Sequence, residues 1–176
     1  MNHDDHVALL RDGVAPGVWA DLGSGTGAFT LALADLVGPA GEIHSVDRDG
    51  AALRQQERSM RSRFPAAGVK YLAADFTKPL DLPSLDGVVM ANSLHFVRNK
   101  EEVLGHVLAM LRPQGRFILI EYDADRGNPW VPHPLSFETW RSLAARSGLI
   151  GTRLLHSVPS RFLDRIYSAL SVRPAR

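Results

Sequence analysis

The 176-residue sequence contains no cysteine, which excludes disulfides, thiolate metal ligands and a cysteine nucleophile. It has no excess charge of either sign: 20 Lys plus Arg stand against 19 Asp plus Glu, a formal net charge of +1. Without a broad basic field, neither nucleic acid nor anionic lipid is expected as a partner. No run approaches the roughly 18 uninterrupted apolar residues that a bilayer-spanning helix needs. The opening MNHDDHVALLRDG has neither a basic start followed by an apolar run nor a small-residue cleavage site. No secretion signal is therefore expected, and the default location is cytoplasmic. Repeats, low-complexity tracts and linkers are also missing. What remains is 45% hydrophobic and 22% charged, close to globular averages, and its length fits a single domain over residues 1–176.

Apolar strand-like runs alternate with amphipathic segments from Val18 to Ile120, with Gly, Pro or Asp at each switch. That rhythm predicts a parallel α/β sheet. The expected strands are Val18 to Leu22, Glu42 to Val46, Lys70 to Ala73, Leu85 to Ala91 and Gly115 to Tyr122. Helical spacing predicts helices over Ala28 to Leu36, Ala51 to Arg63 and Lys100 to Leu111, with a short one over His3 to Arg11. A Pro- and Gly-rich loop, Asp123 to Pro134, precedes a helix from about Ser136 to Ser147. Beyond it Ile150 to Val158 reads as a strand. Phe162, Ile166, Tyr167 and Leu170 fall at helical spacing, so periodicity alone predicts a final helix. Arg161, Arg165, Arg173 and Arg176 read as a solvated face.

The stretch Val18-Trp19-Ala20-Asp21-Leu22-Gly23-Ser24-Gly25-Thr26-Gly27 is a strand running into alternating glycines and then a helix. Glycine admits positive φ and close backbone approach, and amides at a helix N-terminus face whatever the loop wraps. The spacing is G-x-G-x-G rather than the G-x-G-x-x-G of a dinucleotide loop, and Asp21 lies two residues ahead of it. A carboxylate there would repel a pyrophosphate and suit an ammonium or sulfonium group.

Asp21-Leu22-Gly23-Ser24-Gly25-Thr26-Gly27 resembles the first motif of class I S-adenosylmethionine-dependent methyltransferases. The resemblance implies a Rossmann-like, doubly wound, mostly parallel seven-stranded sheet with helices on both faces and an antiparallel C-terminal strand. It puts antiparallel strands near Ile150 to His156 and Phe162 to Ser171, against the helix that periodicity suggests. Its cofactor is S-adenosylmethionine. Gly23, Ser24, Gly25 and Gly27 would pack on the methionine and ribose parts, and Asp21 would help hold the amino group. Asp47, closing the second strand 20 residues past Gly27, would accept the ribose hydroxyls, with Arg48 flanking the adenine or solvated. Asp75 and the backbone of Phe76, after the third strand, would read the adenine. Asn92 and Ser93 follow the fourth strand and should border the methyl group. Asn92-Ser93-Leu94-His95-Phe96 is also similar to the small-molecule methyltransferases of the ubiquinone-biosynthesis-like group.

Methyl transfer from a sulfonium is an in-line displacement in which orientation alone can supply roughly 7 to 11 kcal/mol. No catalytic residue is obligatory. His95 is the candidate for a base and, with Tyr122, for acceptor contact; the simpler reading is a histidine hydrogen-bonded at the pocket edge without chemistry. Glu121, Trp130 and His133 are further residues near the acceptor or on the loop over it. No metal site is expected. The expected partner is a small-molecule acceptor, and little chain precedes Gly23 to build its pocket, which leaves room for a homo-oligomer. The rival readings are a nicotinamide-dependent oxidoreductase and a catalytically silent cofactor-binding module. Glycine spacing, Asp21 and the lack of a Tyr-x-x-x-Lys pair disfavour the first. An Asn-Pro-Pro-Tyr-type sequence is missing after the fourth strand.

Overall fold

The computed structural model describes residues 1–160 and 162–175, so Arg161 and Arg176 lie outside the described residues. In chain order the elements are α1 (His3–Leu10), β1 (Val18–Leu22), α2 (Ala28–Val37), β2 (Glu42–Asp47), α3 (Gly50–Arg63), β3 (Gly68–Ala73) and β4 (Leu85–Ala91). A short 3-10 turn (Leu94–Phe96) follows, then α4 (Lys100–Met110), β5 (Leu111–Tyr122), α5 (Phe137–Arg146), β6 (Ile150–Pro159) and β7 (Arg165–Val172). The predicted elements up to α5 are all present, within a few residues at each end.

The seven strands form one sheet in the order β3-β2-β1-β4-β5-β7-β6. β1 to β5 run parallel, and β7 is antiparallel to both β5 and β6. The resemblance is right here and periodicity wrong. β7 lies between two strands with both faces covered, and its residues from Ile166 to Ser171 are all buried. Its apolar residues therefore need not alternate, and their spacing carries no period-2 signal. Arg173 is not on a solvated face: its guanidinium donates to the carbonyls of Leu108 and Leu111, tying β7 to the start of β5.

Alternate residues of the central strands serve two separate layers, as the pleat requires. Ala20, Leu22, Val88, Met90, Phe117, Leu119, Tyr167 and Ala169 pack against Val103, Leu104 and Val107 of α4 and Trp140, Leu143 and Ala144 of α5. Trp19, Val89, Ala91, Ile118, Ile120, Ile166 and Leu170 pack against α1, α2 and Met60 of α3. The helices start where their caps dictate: Asp49 accepts from the amides of Ala51 and Ala52, and Ser136 from that of Thr139. The topology reverses between β1 and β4, which puts a crevice at the carboxyl ends of β1, β2, β3 and β4. No helix among the described residues is long and apolar enough to cross a membrane.

Candidate functional site

The glycine loop is pinned to the end of β2 by backbone bonds before any side chain is considered. The amides of Gly23 and Ser24 both donate to the carbonyl of Val46, at 2.8 and 3.1 Å, and Gly27 donates to Ser24. Gly23 has φ +78°, and a Cβ there would lie 2.5 Å from Ser93 Cβ and 3.1 Å from Phe76 Cε1. Only glycine lets β1 approach these two residues so closely.

A cavity of about 430 Å³ opens beside the loop, lined by Gly23, Asp47, Arg48, Ala74, Asp75, Phe76, Thr77, Asn92, Ser93, Phe96 and Val97. The structure thus brings together Gly23, Asp47, Arg48, Asp75, Phe76, Asn92 and Ser93 of the predicted residues, from the ends of four separate strands. Asp47 Oδ2 accepts from the Gly25 amide at 2.7 Å and Oδ1 from the Asp49 amide at 2.8 Å. Each oxygen keeps a second lone pair for a ligand hydroxyl. Asp75 is exposed, and the backbone N–H and hydroxyl of Thr77 hold its carboxyl below the usual range. Ser93 Oγ donates to the Leu22 carbonyl at 2.7 Å, so its hydroxyl proton ties β4 to β1.

Asp21, Ser24, Gly25 and Gly27 do not line this cavity. Asp21 is 1% exposed and lies beneath the loop, where Oδ2 accepts from Thr30 Oγ1 of α2 at 2.6 Å. Burial pushes its carboxyl up to about 7, opposed by the Thr30 hydrogen bond and reinforced by the charge of Asp47. Asp21 thus braces the loop from beneath, through α2, and its expected hold on a ligand amino group, direct or through water, would be made from that position. Ser24 Oγ lies 2.7 Å from Ser45 Oγ, which donates to Gln56 Oε1 at 2.9 Å.

Several residues escaped the sequence reading. Gln56 is fully buried under the loop, and a Cβ on Gly27 would lie 2.2 Å from its Cγ. The available signal was a polar residue on the Leu53–Met60 face of α3, at spacing 3 and 4. Thr77, Phe96 and Val97 line the cavity without a chemical signature in sequence, since position alone brings them there.

A second cavity, about 410 Å³, is lined by Met1, Asn92, Tyr122, Pro159, Ser160, Phe162 and Ile166. Asn92 borders both. Tyr122 lines the second, and burial raises its phenol above the ordinary value, so it stays a donor at neutral pH. His95 lines neither cavity. It is 3% exposed, and its Nδ1 lies 2.9 and 3.0 Å from the oxygens of Glu121, which is 0% exposed. Its ring sits 4.3 Å from Phe96 on the first cavity and 5.8 Å from Tyr122 on the second. Glu121 is therefore beneath the site rather than facing it. His95's carbonyl accepts from the His133 amide, fixing the 123–134 loop, while Trp130 is 71% exposed. Among the described residues no group of three or more His, Asp or Glu could hold a metal ion.

The sequence matches a family model described as a methyltransferase domain over residues 18–148. It is 34% identical over 119 residues to the ubiquinone/menaquinone biosynthesis C-methyltransferase UbiE of Ectopseudomonas mendocina, covering 66% of this chain and 46% of that protein. It is 32% identical over 104 residues to the same-named protein of Pasteurella multocida, covering 58% and 38%. The chain thus spans less than half the length of these curated relatives. Among solved structures, the YcgJ protein of Bacillus subtilis superposes with a TM-score of 0.78 at 12% identity, covering 98% of this chain and 99% of that one. An S-adenosylmethionine-dependent methyltransferase of Aquifex aeolicus gives 0.74 at 17%, covering 96% and 89%. These last two likenesses show a shared fold, and the family model, matching well over half the chain, shows descent: the chain belongs to the methyltransferase domain family, as a class I S-adenosylmethionine-dependent member.

Proposed function

We propose that this chain transfers a methyl group from S-adenosylmethionine to a small-molecule acceptor. The observation that carries the reading is the convergence of Gly23, Asp47, Asp75, Phe76, Asn92 and Ser93, from four strand ends, on one cavity. The residues fit the cofactor: Asp47 has lone pairs left for a ribose, Asp75 a carboxylate for an adenine amine, and Gly23 a surface with no Cβ. When bound, S-adenosylmethionine supplies a methyl group on a sulfonium leaving group. The protein's part is then to bind, orient and exclude water.

In this reading the second cavity seats the acceptor. Tyr122, Phe162, Pro159 and Ile166 give it apolar surface, beside the polar Asn92 and Ser160. His95 acts as a positioning residue. Glu121 fixes Nδ1, and the ring wedges between Phe96 of one cavity and Tyr122 of the other.

Calorimetric titration with S-adenosylmethionine, with NADH as the rival ligand, tests the assignment. Wild-type protein should bind S-adenosylmethionine and not NADH. Asp47→Ala removes charge-assisted bonds that are individually worth about 1.5–3 kcal/mol, so its affinity should fall roughly 10- to 100-fold. Preference for NADH, or an undisturbed variant, would overturn the reading.

A further inference from the structure

We infer that Ser45 and Gln56, which do not line the first cavity, hold the glycine loop in its binding shape through Ser24, an inference that rests on the function proposed above. The loop is costly to order: Gly23, Gly25 and Gly27 all hold positive φ, at +78°, +54° and +89°, and glycine loses more conformational freedom on ordering than any other residue. Backbone bonds from Gly23 and Ser24 to Val46, and the Asp47 carboxylate on the Gly25 amide, fix two of its edges. Ser24 is the only loop residue whose side chain is hydrogen-bonded among the described residues. Its Oγ lies 2.7 Å from Ser45 Oγ of β2 and 3.4 Å from Gln56 Oε1 of α3, and Ser45 and Gln56 are both fully buried. Each hydroxyl brings one proton and Oε1 can only accept, so the chain of bonds that starts at Ser24 ends on Gln56.

Stability does not explain Gln56. Its Nε2 is buried with no hydrogen-bond partner among the described residues, an arrangement that folded proteins usually avoid. It shares its face of α3 with Leu53 and Met60, both buried, and a methionine there would fill similar space without leaving a donor unpaired. What the carboxamide supplies and a methionine does not is the acceptor at the end of the Ser24 chain. Ser24 stands between Gly23, which lines the first cavity, and Gly25, whose amide holds Asp47, which lines it too. Tethering Ser24 therefore sets both the bare surface at Gly23 and the direction of the Asp47 carboxylate before any ligand arrives. A loop ordered in advance need not be ordered by the ligand, and affinity rises accordingly.

Affinity and stability measured on the same variants test this without a known acceptor. Gln56→Met keeps the length of the side chain and removes both the acceptor and the unpaired donor. By calorimetry it should bind S-adenosylmethionine about 3- to 10-fold more weakly than wild type, while its urea midpoint stays equal or rises. Without ligand, the amides of residues 23–27 should exchange with deuterium faster than in wild type, and saturating S-adenosylmethionine should restore their protection. Ser24→Ala and Ser45→Ala cut the same chain, so either one combined with Gln56→Met should lose no more affinity than the weaker-binding single variant. Unchanged affinity in Gln56→Met, full additivity in the double variants, or affinity and urea midpoint falling together, a variant that does not fold included, would overturn the inference and leave the proposed function standing. If wild-type protein does not bind S-adenosylmethionine, both fall.

Discussion

Asp21 is a carboxyl group taken out of water. Its place in the sequence was legible, but its burial against Thr30 was not, because chain position does not say which face of β1 it occupies. The pleat sends Ala20 and Leu22 to the α4 and α5 layer and turns Trp19 and Asp21 toward α1 and α2. The carboxyl consequently meets Thr30 rather than the cavity. Its protonation is tied to stability: the folded value is about 7, against 3.8 for a solvated aspartate. Between those values the folded protein keeps a proton that the unfolded chain releases, so this contribution is complete below about pH 4. It declines as pH rises through 7 and is flat above. Asp21→Asn never ionises. From pH 5 to pH 8 the stability of wild type relative to Asp21→Asn should fall by roughly 3 kcal/mol, about two pH units at about 1.4 kcal/mol each. Urea unfolding at the two pH values measures it, and a constant difference would show that Asp21 titrates in the ordinary carboxylate range.

Elements were the most legible level. The strands from β1 to β5 and all the helices follow from period and punctuation, because each parallel strand is a short apolar run bounded by a turn. β7 was not legible from its own period, since burial on both faces erases alternation. What sequence could not show is how elements lock together, and the α2–α3 junction is the clearest case. Gly27 opens α2 at φ +89° directly over Gln56 of α3. Gly27→Ala incurs a left-handed penalty of about 1–2 kcal/mol and an overlap with Gln56 Cγ of about 1–3 kcal/mol. Gln56→Ala removes that Cγ. The double variant should therefore be more stable than the sum of the single losses predicts, with a coupling of at least about 1 kcal/mol by denaturant unfolding. Strict additivity would mean that α3 does not seat against the loop as described.

At the scale of the whole molecule, the two cavities are products of topology. Four strand ends contribute to the first, and no local pattern announces that Phe96 or Thr77 will stand beside Asp47. The same interleaving governs how the protein unfolds. β1, β4, β5 and β7 each give alternate residues to both helical layers, so neither layer can come away without stripping strands that the other needs. Trp19 is fully buried on the α1 and α2 side, donating to the Ala15 carbonyl at 2.8 Å, and Trp140 is fully buried on the α5 side, its ring centroid 5.2 Å from that of Phe117. With the exposed Trp130 changed to phenylalanine, replacing either buried tryptophan by phenylalanine leaves one reporter per layer. Each such variant has its own stability, so the comparison is made within it: the fluorescence midpoint in urea against the far-ultraviolet circular dichroism midpoint. Shared strands require the two to coincide in both variants, the mark of a single cooperative transition. A Trp140 signal lost at lower urea than the secondary structure would show instead that the α4 and α5 layer separates first, and that the sheet can stand with one face bare.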